Sequence, residues 1–319
     1  MSLPGQPRPL AFQTFGVPRR IAGWETRRPM TEHIALYGKG GVGKSTLTSN
    51  LSAALAEAGF SVLQVGCDPK GDSCSLLNNG DPIPTVFDLL REWGEISVDA
   101  VAHKGFKGVT CVELGDPFGS GQCGSSEIAR ALAELKRIDL FGAIAPDFVL
   151  YDISGDSTCS SFYTPIQQIG VQRIFVVTTA DFMSLHAANA IFKMLDRYGE
   201  SNVPVPVGGL IPNSISSSFE ESFIADFAVQ TRTRTMGRIP RSLMVRQCEL
   251  YGKTVIEASP LSNQSYFYRR LANQIVDEAA SQPGLSAPMQ PEELRAWART
   301  WGDRIYALEN GLVTDGAAI

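Results

Sequence analysis

No run of about 18 apolar residues occurs in these 319 residues, which excludes a membrane-spanning helix. The N-terminal stretch has arginines and prolines but lacks the apolar segment that a secretory signal needs. Positive charge is also in short supply. A net charge of −5 gives no global attraction to nucleic acid or acidic membranes, so neither is expected as a partner. Cys-x-x-Cys pairs are absent, which argues against a zinc site or a cluster held by one chain. With no secretory signal, the six cysteines do not read as a disulfide framework, and the expected location is cytoplasmic. There is no internal repeat.

What is present includes enough apolar residues, 44% of the chain, for a sizeable core. Residues 1–30 carry Pro4, Pro7, Pro9, Pro18 and Pro29 with five arginines and no apolar period. They read as a flexible or draped extension, with a partner-docking arm as the alternative. From His33 onward short apolar runs alternate with helical patterns. The expected strands are Ile34–Tyr37, Val62–Val65, Val109–Glu113, Phe148–Tyr151, Ile174–Thr178 and Val205–Ile211. Helices are expected over Ser45–Ala58, Ser125–Arg137, Ser184–Tyr198, Ser217–Val229 and Tyr266–Ala280. This is an α/β pattern, a single doubly wound, mainly parallel sheet covered on both faces, over residues 31–282. In the tail, residues 283–319, Leu294, Trp297, Trp301, Ile305 and Leu308 fall on one helix face. That face is expected to dock on the chain's own domain or on a twin.

The clearest motif is Gly38-Lys39-Gly40-Gly41-Val42-Gly43-Lys44-Ser45-Thr46, between the first strand and the first helix. It matches G-x-x-x-x-G-K-[ST], the phosphate-binding loop. Its glycines let backbone N–H groups curl around a phosphate, and the helix N-terminus adds positive potential. Lys44 would reach the β- and γ-phosphates of a bound nucleotide, and Ser45 would ligate Mg²⁺. Lys39 is a second lysine that an ordinary phosphate loop does not need.

Two further strand tips end in carboxylates. The second strand runs into Asp68-Pro69-Lys70-Gly71-Asp72, where Asp68 can orient water for attack on a γ-phosphate and Asp72 can sense it. Phe148–Tyr151 closes in Asp152, placed to reach Mg²⁺ through its shell, and Gly155 and Asp156 follow in a switch-like turn. Cys159 ends that turn, and Cys123 lies in a glycine-rich loop leaving the same sheet edge. Spacing alone leaves these two thiols open to being inert small apolar residues. As ligands they would complete a [4Fe–4S] cluster only if a two-fold twin supplied two more. Cys67, Cys74, Cys111 and Cys248 read as structural.

Together these residues carry a resemblance. Lys39 through Thr46 resembles the deviant phosphate loop shared by nitrogenase iron proteins and the septum-site and partition ATPases. Gly66-Cys67-Asp68-Pro69-Lys70, Cys111-Val112-Glu113 with Cys123 twelve residues on, and Asp152-x-x-Gly155-Asp156-x-x-Cys159 resemble the iron-protein branch. The resemblance runs from about His33 to Ala280. It implies a homodimer with one [4Fe–4S] cluster bridged by Cys123 and Cys159 of each chain and one MgATP per subunit. It also implies a larger heteromeric nitrogenase-like catalytic partner and a ferredoxin or flavodoxin as electron donor. By position, Lys39 would cross to the twin's phosphates, Asp68 and Asp156 would serve hydrolysis, and Lys70 and Asp72 would link nucleotide to docking surface. Asn213 would contact adenine, and Pro240-Arg241 resembles a later adenine-side loop, with Ser242 in place of the usual acid.

Departures cluster near the cysteines. Ser126 stands where nitrogenase and chlorophyllide reductases have a partner-contacting arginine, and Ser157-Thr158-Cys159-Ser160-Ser161 replaces Val-Val-Cys-Gly-Gly. Changed docking residues point to a different partner, with methylthio-alkane reductase preferred over chlorophyllide, protochlorophyllide or nitrogenase systems. The rival from another class is a partition or positioning ATPase without redox chemistry.

Overall fold

A computed structural model describes residues 31–116, 125–153, 159–278 and 284–311. The described chain opens with β1 (Glu32–Tyr37), α1 (Lys44–Glu57) and β2 (Val62–Gly66). After α2 (Val86–Trp93) and α3 (Val98–Val101) come β3 (His103–Lys104) and β4 (Thr110–Glu113), then α4 (Ser125–Arg137) and α5 (Leu140–Ile144). The middle of the chain forms β5 (Phe148–Asp152), α6 (Cys159–Ile169), β6 (Arg173–Thr178), α7 (Phe182–Ser201), β7 (Val207–Ile215) and α8 (Ser218–Gln230). It closes with β8 (Ile239–Pro240), α9 (Leu243–Leu250), α10 (Val255–Ala258), α11 (Asn263–Glu278) and α12 (Pro291–Glu309).

The strands form one sheet in the order β3-β4-β2-β5-β1-β6-β7-β8. All neighbours are parallel except the short β3–β4 pair. Parallel strands buried on both faces need apolar residues at successive positions, and β1 shows how they are shared out. Ile34 and Leu36 pack with α1, α10 and α11 on one face, while Ala35 and Tyr37 pack with α4, α7 and α8 on the other. The expected doubly wound sheet is present. The two-residue strands β3 and β8 at its edges have no sequence signal of their own.

Helix α1 is buried on nearly all sides, polar Thr48, Ser49 and Ser52 included. Arg269 of α11 clamps it with a two-pronged contact to Glu57 at 2.6 and 3.0 Å. Helix α12 docks on the chain's own α8. The ring of Trp297 stacks on Phe223 at 5.0 Å, and the indole N–H groups of Trp297 and Trp301 both donate to Asp226 Oδ2 at 2.8 and 2.7 Å. The expected apolar face holds for Leu294, Trp297 and Trp301, with Leu308 half-buried, but Ile305 is exposed. No helix among the described residues is long and apolar enough to cross a membrane.

Candidate functional site

The loop between β1 and α1 is shaped by close approach. Gly38 has φ 151°, and a Cβ there would lie 2.3 Å from the carbonyl oxygen of Val177. Gly43, with φ 87°, caps α1 without a side-chain acceptor, which leaves first-turn donors of the helix for an anion. Lys44 is buried, and its Nζ donates to the carbonyls of Gly38 and Lys39 at 3.1 Å each, so its ammonium stays inside the loop it would serve.

An open cavity of about 430 Å³ lies over this loop at the carboxyl ends of β1, β2 and β5. Gly40, Gly41, Gly43, Lys44, Ser45 and Thr46 line one side, and Asp68, Lys70, Asp72 and Asp152 the other. Such a cavity belongs where strand order reverses in an open parallel sheet, as it does around β1. Asp152 is buried, and burial pushes its carboxyl above the usual range against the pull of the Ser45 and Ser73 hydroxyls and Lys44. Its Oδ2 accepts from Ser73 Oγ at 2.7 Å, while Oδ1 has no hydrogen-bond partner among the described residues. A buried carboxylate oxygen left over beside a serine hydroxyl fits Mg²⁺ or its water shell, which takes oxygen donors. Asp68 sits in a tight turn, its Oδ1 taking the Lys70 N–H at 3.0 Å.

The remaining sequence candidates take other positions. Lys39 is exposed and Val42 buried, and neither they nor Gly38 line the cavity. Asn213, on β7, supports the loop from behind by donating to the Val42 carbonyl at 2.7 Å. Pro240 and Arg241 lie beyond the cavity lining, with the Arg241 N–H bonded to Ile215. Cys123, Gly155 and Asp156 lie outside the described residues, as does the side chain of Cys159, whose backbone opens α6. Helices α4 and α6 pack against each other.

Three residues gain a role that sequence reasoning did not give them. Glu249 of α9 lines the cavity and accepts from Thr46 Oγ1 at 2.6 Å. Ser73 holds Asp152. Glu113, at the tip of β4, is buried, with Oε1 taking the Cys74 N–H at 2.6 Å and Oε2 unpartnered among the described residues. Burial, with the nearby Asp152 and Asp72 charges, pushes its carboxyl up to about 8 despite the Cys74 contact. The available signal for Glu113 was its position as another acid closing an apolar strand at the same sheet edge.

A family model described as 4Fe-4S iron sulfur cluster binding proteins, NifH/frxC family, matches residues 32–303. The chain belongs to this family. It is 42% identical over 287 residues to nitrogenase iron protein 2 of Paenibacillus durus, covering 90% of this chain and 97% of that one. To the nitrogenase iron protein of Methanospirillum hungatei it is 41% identical over 273 residues, 85% of this chain and 96% of the other. Among solved structures, the septum site-determining protein MinD of Pyrococcus horikoshii, complexed with Mg-ADP, superposes with a TM-score of 0.62. That match has 21% identity over 79% of this chain and 98% of MinD, and it shows the shared fold.

Members of this family bind a [4Fe–4S] cluster together with MgATP. Among the described residues no group of three or more His, Cys, Asp or Glu side chains could hold a metal ion. Cys67, Cys74, Cys111 and Cys248 are each buried, and burial pushes the Cys74 thiol well up, against the thiolate a ligand needs.

Proposed function

We propose that the chain is the ATP-dependent reductase component of a nitrogenase-like two-component enzyme. It would work as a homodimer that passes single electrons to a larger catalytic partner. The observation that carries this reading is the loop cavity with the unpartnered Asp152 Oδ1, in a chain of a cluster-binding family. Cys123 and Cys159 of each subunit would hold the cluster, which supplies one-electron reduction when bound. Lys44 and the loop N–H groups would bind the phosphates, Ser45 and Asp152 the magnesium, and Asp68 and Asp156 would orient the attacking water. Lys39, exposed beside its own cavity, is free to reach the twin's phosphates. Asn213, Pro240 and Arg241 would flank the adenine, and Lys70 and Asp72 would relay nucleotide state to the docking surface. Ferredoxin or flavodoxin would recharge the cluster.

Ser126 and Ser160-Ser161 beside the cysteines support a catalytic partner other than nitrogenase itself, with methylthio-alkane reductase preferred. Protein purified without oxygen should be brown, with about two irons per chain, a four-iron cluster being shared by two subunits. Cys123→Ser and Cys159→Ser should each lose the iron. A colourless, iron-free dimer with normal ATPase activity would instead mark a positioning ATPase and end this reading.

A further inference from the structure

We infer that Gln64 is a positioning residue for magnesium: acting through Ser73, it settles which oxygen of Asp152 is left for the metal. The inference rests on reading the cavity as a MgATP site.

Gln64 is fully buried in the middle of β2, between Leu63 and Val65, where packing alone would favour an apolar side chain. Its Nε2 lies 2.9 Å from the Ser73 carbonyl oxygen, 3.0 Å from Ser73 Oγ and 3.3 Å from Ser49 Oγ. Its Oε1 accepts from Ser52 Oγ at 2.8 Å, and Ser49 Oγ donates to the same Ser73 carbonyl at 2.8 Å. Every member of this group is buried.

The polarity of the group follows from one atom. A backbone carbonyl only accepts, so the amide nitrogen of Gln64, and not its oxygen, must face Ser73. With an Nε2 hydrogen directed at Ser73 Oγ, the hydroxyl proton of Ser73 turns to its other neighbour, Asp152 Oδ2 at 2.7 Å. That occupies Oδ2 and leaves Oδ1, the atom without a partner among the described residues. Ser49 and Ser52 belong to α1, which begins with Lys44 and Ser45, so both sides of the metal position share one buried frame. Outer partners that orient a ligand in this way are worth about 10–100-fold in metal affinity.

The test is ADP binding to the full-length, anaerobically purified protein, with Mg²⁺ and with EDTA. Gln64→Met keeps the volume but cannot donate, and Ser73→Ala removes the same link from the other side. Each should lose about 10-fold or more of the tightening that Mg²⁺ gives, with affinity in EDTA essentially unchanged. The double variant should lose no more than either single one, since the two act as a unit. Ser52→Ala, which leaves both Gln64 donors in place, should keep the wild-type response to Mg²⁺. The inference is overturned if the Met variant keeps the full effect of Mg²⁺, or if it weakens binding equally in EDTA. Should that variant not fold, Ser73→Ala decides by the same criterion. Wild-type protein that binds ADP in neither condition would sink the nucleotide reading itself, a distinct outcome.

Discussion

The side-chain amide of Asn213 donates to the carbonyl of Val42 over 2.7 Å, joining two segments 171 positions apart. A Cβ on Gly43 would meet that same amide nitrogen at 2.6 Å, so β7 and the phosphate loop are fitted to each other. Asn213→Leu strands the Val42 carbonyl, at a cost of about 1–3 kcal/mol. It should lower the melting temperature and weaken ADP binding, which calorimetry and nucleotide titration would show.

Lys44 holds two loop carbonyls together as well as offering its charge. Lys44→Ala should abolish MgATP binding and also loosen the loop of the nucleotide-free protein. Hydrogen exchange at residues 38–44 should rise relative to wild type without added nucleotide. Unchanged exchange there would show that the ammonium does not brace the loop.

Glu113 makes stability fall with rising pH. Its carboxyl titrates at about 8 in the folded protein and at about 4.3 unfolded. Between those values the folded state holds the proton and the unfolded state does not, so each pH step upward favours unfolding until about 8. Glu113→Gln should flatten this slope and raise the melting temperature most at and above about pH 8. A melting series from pH 5 to 9 on both proteins checks it.

Asp226 has the opposite sign. Partial burial raises its carboxyl, but hydrogen bonds from Trp301, Trp297 and Gln230 and the charge of Arg304 outweigh that and hold it below its ordinary value. Its support of α12 is therefore complete above about pH 4 and lost as pH falls through the lowered value. Indole fluorescence should report that acid transition. Asp226→Leu should remove it and cost about 1–3 kcal/mol at neutral pH, since two buried donors lose their acceptor.

Strands, major helices and the loop residues of the cavity were legible because each carries a local signature: β-branched runs, a 3.6-residue period, glycines at fixed spacing. Glu249 was not, since its approach to Thr46 depends on how β8 and α9 turn back across the sheet, and no local pattern encodes that. Ser49 and Ser52 resemble the wet side of an amphipathic helix. They are dry because α1 is covered on nearly every side, and only with that known does the misfit of Gln64 in β2 become a partner for them.

The position of β1 also bears on how the protein is made. It carries the loop at Gly38–Thr46, yet its neighbours are β5 and β6, with Glu32 opposite Phe148 and Ile34 opposite Arg173. On a ribosome the loop emerges long before Asn213 and Glu249 exist. At roughly 5–20 residues per second, about 10–40 s separate Lys44 from Glu249. Until β5 and β6 follow, roughly 5–27 s later at the same rate, an apolar strand waits without its partners, a natural client for chaperones.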